Sequence, residues 1–438
     1  MSRVNVTSPL DLRFSAAGTT WGRRRSALAL FLRLAHSLAV SPAIGVISAL
    51  LDQAVGDRVA PAAQASVIAA GALVHESAHG TLPDGTPVGP ACRFDVASIT
   101  KLVTTVLAAV LVERRTLDLD EPVHRYLPPF AGKGSVTPRQ LLAHTSGLPA
   151  WLPLFERCLL DPLASTLFPP TALDPGRRPA AVERSRELMV ASVLACPLSG
   201  QPGHRVYSDL GFMVLGLLLE AVGGARLAEL SRRWVLTPLG LSRTDFVDLS
   251  APDLEALLAA ERWAPTGDTR PREPAPGQKV SFTLPPQPPV HAPGQVDDDN
   301  AYALGGIAGH AGLFSTATDL ASLGERIREE LGGAGRIGAG RALASFARPS
   351  PAPSGDPRGL GFDLPAPSGS AVGERFGKAG PRGALGHLGF TGCSLWIDLD
   401  RGISAALVTN RVFFGRREAE GIRRLRREFH ETLVGQLG

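Results

Sequence analysis

Ser98 and Lys101 stand three residues apart in Phe94-Asp95-Val96-Ala97-Ser98-Ile99-Thr100-Lys101, at the head of the apolar stretch Leu102 to Val112. With Ser98 opening a helix, three residues is nearly one turn, so the lysine nitrogen lies on the face of the serine hydroxyl and can exchange a proton with it. The helix amino terminus adds partial positive charge beside a forming alkoxide. A serine N-cap followed by a surface lysine has the same spacing. Two features favour the chemical alternative. Leu102, Val103, Val106, Leu107, Val110 and Leu111 make the helix apolar nearly all round, which carries Lys101 into a buried element. Lysine is also scarce, the others being Lys133, Lys279 and Lys378.

Two further segments supply what a serine nucleophile needs. Tyr207-Ser208-Asp209 precedes the helical run Leu210 to Val222 and puts a phenol, a hydroxyl and a carboxylate at one loop-to-helix junction. A phenol held near an ammonium is expected to have its pKa lowered, enough to relay protons. The plainer alternative makes Tyr207 a loop anchor and Asp209 an N-cap. Gly386-His387-Leu388-Gly389-Phe390-Thr391-Gly392 is a glycine-spaced strand, where a substrate backbone can approach closely and an amide N–H can face its carbonyl. A bulged edge strand with a hydrogen-bonded histidine is the other explanation.

Other matches compete. His75-Glu76-Ser77-Ala78-His79 fits H-E-x-x-H, which binds zinc when both imidazoles share a helical face and the glutamate acts as base. The segment follows Ser66 to Gly71 as the second half of a hairpin, and in a strand Glu76 points away from His75 and His79. No metal and no cofactor are expected. Gly333 to Gly338 fits G-x-G-x-x-G but follows a helical pattern, so it is expected to be a helix terminus and loop. Asp297-Asp298-Asp299-Asn300 lacks EF-hand spacing and is expected to be a polar turn bordering the cleft. His144 and His310 are expected to be hydrogen-bonded structural residues.

The 438 residues, 44% hydrophobic and 20% charged, can bury a large core as one α/β unit or two domains. The formal charge of +4 comes from arginines spread along the chain. The one dense basic run, Arg416, Arg417, Arg423, Arg424, Arg426 and Arg427, alternates with Ile422, Leu425 and Phe429; it is expected to be the solvated face of a carboxy-terminal helix, and no nucleic-acid partner is implied. Cys92, Cys158, Cys196 and Cys393 are isolated and indicate neither a zinc ribbon nor a disulfide scaffold. Arg23-Arg24-Arg25 before Ala27 to Leu32 faintly suggests an export signal, but Arg33 and His36 interrupt the apolar run, which is too short for a membrane span of about 20 residues. Lack of a clear signal peptide favours a cytoplasmic protein, with the periplasm as the alternative.

The pattern places an extension at 1–43, a helix over Val46 to Val55, a hairpin over Ala65 to His79 and helical segments to about Leu241. Thr137 and Pro138 open one of those helices. Proline-rich loops follow at Phe168 to Ala180, Pro265 to Pro293 and Pro349 to Pro365. Gly386 to Phe390, Ser394 to Leu399 and Ile403 to Thr409 form an antiparallel meander, closed by a helix over 418–434. Strands at both ends around a helical middle predict an α/β (α+β) fold, with an antiparallel sheet flanked by helices and an inserted all-helical lobe. The sheet lobe is assigned to 44–135 plus 300–438, the helical lobe to about 136–299, and the site to the cleft between them.

Together these features resemble the serine β-lactamase and penicillin-binding-protein family, in the class C-like branch that also holds D-alanyl-D-alanine carboxypeptidases and esterases. The likeness covers 44–430 and rests on Ser98-x-x-Lys101, Tyr207-Ser208-Asp209 where the family has Tyr-x-Asn, and His387-Leu388-Gly389 where it has Lys-Thr-Gly or His-x-Gly. Leu141 to Leu148 and Leu304 to Ser315 also look like family segments. The resemblance implies a β-lactamase/transpeptidase-like fold and a serine hydrolase acting through an acyl-enzyme. Ser98 would be the nucleophile, Lys101 and Tyr207 its proton acceptors, and the Ser98 and Phe390 backbone N–H groups the oxyanion hole. Asp209, His387 and Gly389 would line the substrate site. Asp209 replaces an amide, Leu388 a hydroxyl and His387 a permanent cation, which weakens capture of an anionic β-lactam. A small-molecule or peptide substrate is implied, peptidoglycan-derived among the candidates, with carboxypeptidase-like or esterase-like activity favoured over β-lactamase activity, zinc peptidase activity or an inactive binding scaffold.

Overall fold

The computed structural model describes residues 45–437 apart from 169–173, 268–269, 283–292, 353–356 and 418. The expected extension at 1–43, with its arginine run, lies outside the described residues, as do parts of the three proline-rich stretches.

Helix α1 (Gly45–Gly56) leads into a hairpin of β1 (Ala62–Ala69) and β2 (Ala72–Gly80), in line with the expected hairpin. Next come β3 (Arg93–Asp95) and α2 (Thr100–Glu113), followed by the short α3 (Pro138–Leu142), α4 (Arg178–Ala195) and α5 (Asp209–Gly223). The middle of the chain is completed by β4 (Asp245–Phe246), β5 (Trp263–Ala264), α6 (Asp299–Ala303), β6 (Leu313–Ser315) and α7 (Ala317–Leu331). The meander is β7 (Ala384–Leu388), β8 (Ser394–Asp398) and β9 (Ile403–Thr409), and α8 (Glu420–Leu437) closes the fold.

The five-stranded antiparallel sheet has the order β2-β1-β9-β8-β7, so the two ends of the chain meet where Ala63 pairs with Thr409 and Ala69 with Ile403. Every residue of β1 and β9 is buried because helices cover both faces. Ala63, Ala65 and Val67 pack with Ile47 and Leu51 of α1 and Leu425 and Phe429 of α8. On the other face α7 lies so close that Ser404 Oγ donates to Ala321 O at 2.7 Å.

Two expectations need correction. The stretch 136–299 is not wholly helical: β4 and β5 join β3 and β6 in a second, small sheet of order β4-β6-β3-β5. Strands of two or three residues are too short to show a period. The basic run before and within α8 is not uniformly solvated either, since Arg416 and Arg426 are buried. On α8 the packing stripe is Ile422, Leu425, Phe429 and Leu433, and Arg426 lies four residues after Ile422 and three before Phe429, on the same face. Among the described residues no single helix is long and apolar enough to cross a membrane.

Helix α2 runs through the main apolar cluster and is buried from Thr100 to Leu111. Thr137 caps α3 in a capping box with Gln140, and Pro138 takes the first position, as read from the sequence. Thr104 Oγ1 of α2 donates to Gly309 O at 2.8 Å, which brings the segment before β6 against α2. Gly309 is required there, because a Cβ would meet Phe212 O of α5 at 2.2 Å. Gly309→Ala is therefore expected to cost about 1–3 kcal/mol as an overpacked contact. Denaturant unfolding should show a lower midpoint at unchanged slope, and an unchanged midpoint would refute the packing argument.

Candidate active site

Strand β3 ends in Asp95, whose Oδ1 accepts the Ala97 N–H at 2.8 Å and Oδ2 the Asp297 N–H at 2.6 Å. That clasp holds Ala97 at φ +48°, a left-handed conformation, and turns the chain into the 3₁₀ turn Ala97–Ile99 that carries Ser98. The α-helix proper begins at Thr100, two residues later than expected, yet the chemistry of the spacing survives. Lys101 Nζ donates to Ser98 Oγ at 2.9 Å.

Lys101 is fully buried, as the apolar helix implied. Its other two hydrogen bonds go to Asp209 Oδ1 at 2.8 Å and His310 O at 3.1 Å, so an ammonium finds an acceptor for each of its three protons. Burial pushes the Lys101 pKa down, but the Asp209 carboxylate, with Tyr207 assisting, outweighs it and the net shift is upward. The amine is protonated at rest.

Tyr207 and Asp209 reach this point because their junction is locked from three sides. Ser208 Oγ caps α5 by accepting the Gly211 N–H at 3.0 Å and donates to Pro149 O at 2.6 Å. The Asp209 N–H donates to Ala150 O at 2.9 Å, and the Ser208 N–H to His144 Nδ1 at 3.0 Å. The N-cap is thus Ser208, not Asp209, which frees the carboxylate for Lys101. His144 does the structural work expected of it, and its ring lies 4.5 Å from the Tyr207 ring. Lys101 Nζ lies 5.0 Å from the centre of the Tyr207 ring, close enough for its charge to act on the phenol. The expected lowering of its pKa does not occur. Burial raises it, Asp209 adds to the rise, and the Lys101 charge offsets them only in part.

Strand β7 forms the opposite wall. His387 Nδ1 donates to Leu388 O at 2.7 Å, and burial pushes its pKa down to about 4, so the imidazole is neutral at physiological pH. Gly389 passes directly beside the turn that carries Ser98, where a Cβ would meet Val96 O at 2.4 Å. Thr391 Oγ1 donates to Asp95 O at 2.7 Å and ties the strand's exit to the same turn. Phe390 projects into solvent, 41% exposed. Ser98, Tyr207, Asp209, His387, Gly389 and Phe390 all line one cleft of about 420 Å³, with Lys101 behind Ser98.

The same cleft is lined by residues that sequence reasoning did not single out: Asp95, Trp151, Arg358, Asp363, Arg411 and Arg426. Arg358 pairs with Asp363 and stacks 4.8 Å from the Tyr207 ring. Arg411 Nε donates to Phe390 O at 2.9 Å. Only Arg426 left a readable signal, its place in the apolar stripe of α8. Asp297 and Asp298 border the cleft, as expected, Asp297 buried and Asp298 half-buried, and both are held in ion pairs. Asp297 pairs with Arg272 at 3.0 Å and Arg416 at 3.1 Å, and Asp298 with His310 at 3.0 Å.

The zinc motif lies elsewhere, on β2. Its strand conformation sends Glu76 to Thr318, while His75 bonds Ser77 and His79 bonds Asp52. Among the described residues no three His, Cys, Asp or Glu side chains are grouped to hold a metal ion. The Gly333 to Gly338 segment follows the end of α7 as a loop, as expected.

Comparison with known proteins agrees with this architecture. The sequence model described as Beta-lactamase matches residues 47–428. A protein of Salmonella heidelberg (strain SL476), provisionally named D-alanyl-D-alanine carboxypeptidase, is 28% identical over 346 residues, 73% of this chain and 69% of its own. The octameric penicillin-binding protein homologue from Pyrococcus abyssi superposes with a TM-score of 0.62 at 21% identity, over 90% of this chain and 77% of the other. A class C beta lactamase from Rhodobacter sphaeroides gives a TM-score of 0.60 at 19% identity, over 90% and 99%. The antiparallel sheet flanked by helices is the β-lactamase/transpeptidase-like fold of these structures. The chain belongs to the Beta-lactamase family of serine hydrolases.

Proposed function

We propose that Ser98 is the nucleophile of an acyl-transfer hydrolase that cleaves an amide or ester of a small molecule or peptide, in the manner of a D-alanyl-D-alanine carboxypeptidase or an esterase. The observation that carries this reading is the Lys101 Nζ to Ser98 Oγ contact of 2.9 Å, made by a fully buried lysine at the edge of an open cleft. Ser98 Oγ attacks the carbonyl carbon, and the resulting oxyanion is held by the Ser98 and Phe390 N–H groups. The serine proton passes through the Lys101–Tyr207 pair to the leaving amine or alkoxide, which departs as the acyl-enzyme forms. Water then reverses the sequence, giving up a proton to the same pair and releasing the acid. Asp209, His387 and Gly389 line the substrate's path.

The neutral imidazole of His387 and the alkyl chain of Leu388 replace the cation and hydroxyl that would hold an anionic β-lactam, which supports amide or ester hydrolysis over β-lactamase activity. The name of the Salmonella relative supports the carboxypeptidase alternative. Intact-mass analysis with a fluorophosphonate should show one adduct that disappears in Ser98→Ala, and an adduct surviving in that variant would sink the assignment. Penicillin labelling is expected to be slower than fluorophosphonate labelling; the reverse order would favour β-lactam chemistry. Lys101→Ala should abolish acylation while the thermal unfolding transition remains cooperative.

The resting charges also fix a pH dependence. Lys101 has no lone pair as an ammonium, and both Lys101 and Tyr207 have pKa values raised above their usual ones, so the pair must lose a proton before a base exists. The acylation rate should therefore rise with pH. Asp209 raises both pKa values, so Asp209→Asn lowers both and should move the acidic limb of kcat/KM to lower pH, whichever group is the base. A limb that stays in place or moves to higher pH would contradict the proton route.

A further inference from the structure

Arg426 is a buried cation with an unusual set of partners. It is 8% exposed, and among the described residues no carboxylate lies within 4.0 Å of its guanidinium. Its N–H groups go instead to three main-chain carbonyls of the turn between β7 and β8: Gly389 O, Gly392 O at 3.2 Å and Cys393 O at 2.8 Å. Burying a cation without a counter-ion is costly, and peptide dipoles are its compensation here. Burial pushes its pKa down to about 10, which still leaves it charged at neutral pH.

The carbonyl of Gly389 belongs to the same peptide unit as the N–H of Phe390. That unit is planar and trans, so its N–H points opposite to its C=O. Anchoring the oxygen on Arg426 therefore aims the Phe390 N–H away from the guanidinium, and a charge-assisted bond at the oxygen makes the N–H a stronger donor. The Gly392 N–H also donates to Gly389 O at 3.0 Å, so the oxygen is held from two directions. The turn is braced in turn by Thr391 on Asp95 O, and α8 is fixed by Leu425 and Phe429 in the apolar layer beneath the sheet.

We propose that Arg426 is the positioning residue of the oxyanion hole: from the carboxy-terminal helix it orients and polarises the peptide whose N–H receives the developing negative charge. This rests on the hydrolase reading above, with Phe390 as one of the two donors. The interaction is made in the free protein but pays off only as charge develops on the carbonyl oxygen, so its loss falls on kcat and not on KM.

The test compares wild type with Arg426→Met, Arg426→Gln and Arg426→Lys on a p-nitrophenyl ester and the matching thionoester, whose sulfur accepts hydrogen bonds poorly. Direct removal of an oxyanion donor typically costs about 100–1,000-fold in kcat, so an indirect support is expected to cost about 10–100-fold in Arg426→Met. KM should change little, and the oxo/thiono rate ratio should shrink by a comparable factor. Arg426→Lys, which keeps the charge with fewer fixed donors, should recover part of the ratio, and Arg426→Gln less. If Arg426→Met fails to show cooperative unfolding, the order Arg, Lys, Gln in the oxo/thiono ratio carries the same test. Unchanged kcat, or equal losses on both esters, would overturn the proposal while Ser98-dependent turnover by wild type leaves the hydrolase reading standing. Absence of Ser98-dependent turnover by wild type would remove both.

Discussion

The Lys101 ammonium is withdrawn from water, and two of the three oxygens that compensate it come from parts of the chain that nothing but tertiary structure brings together. Ser98 is local, Asp209 opens α5, and His310 O belongs to the segment ahead of β6. An isolated ammonium in such a place would lose several kcal/mol of hydration, so each acceptor must arrive with good geometry. That requirement explains features remote from the chemistry. Gly309 lets its segment touch α5, Ser208 takes the capping role so that Asp209 need not, and the 144–150 segment pins the junction between them.

The same constraint decides the charge state of the site. A carboxylate in the place of an amide neutralises the lysine and holds it as an ammonium, and it also makes ionisation of the neighbouring phenol harder. The site at rest is therefore an ion pair beside two neutral hydroxyls. On the opposite wall the imbalance is of another kind: a neutral imidazole lines the cleft, and a guanidinium is spent on the carbonyls of the turn between β7 and β8.

Much of this was readable in the sequence where the signal is local. Ser98 and Lys101 declare themselves because three residues is nearly a turn, the hairpin because Gly71 separates two short segments that Gly80 closes, and α3 because Thr137 and Pro138 are a start signal. Tyr207, His387 and Gly389 needed the family likeness to be connected to them. Asp95 and Arg358 carry no local pattern, since their roles are set by partners such as Asp297 and Asp363. The Tyr207 pKa departs from the expected direction because a neighbouring cation can be read from motifs while the extent of desolvation cannot. Arg426 departs from the expected solvated run for a different reason: its spacing to Ile422 and Phe429 puts it on the packed face.

The pairing of β1 with β9 has a bearing on how the molecule comes into being. The Ala62 N–H donates to Asn410 Oδ1 across 348 positions of sequence. At translation rates of about 5–20 residues per second, β1 leaves the ribosome roughly 20–70 seconds before the strand that covers its second edge. Throughout that interval a strand that is wholly buried in the finished fold has only β2 beside it, and its other rim is open to any extended segment that drifts past. The surroundings of Ser98 therefore mature last, after β7 to β9 have been delivered.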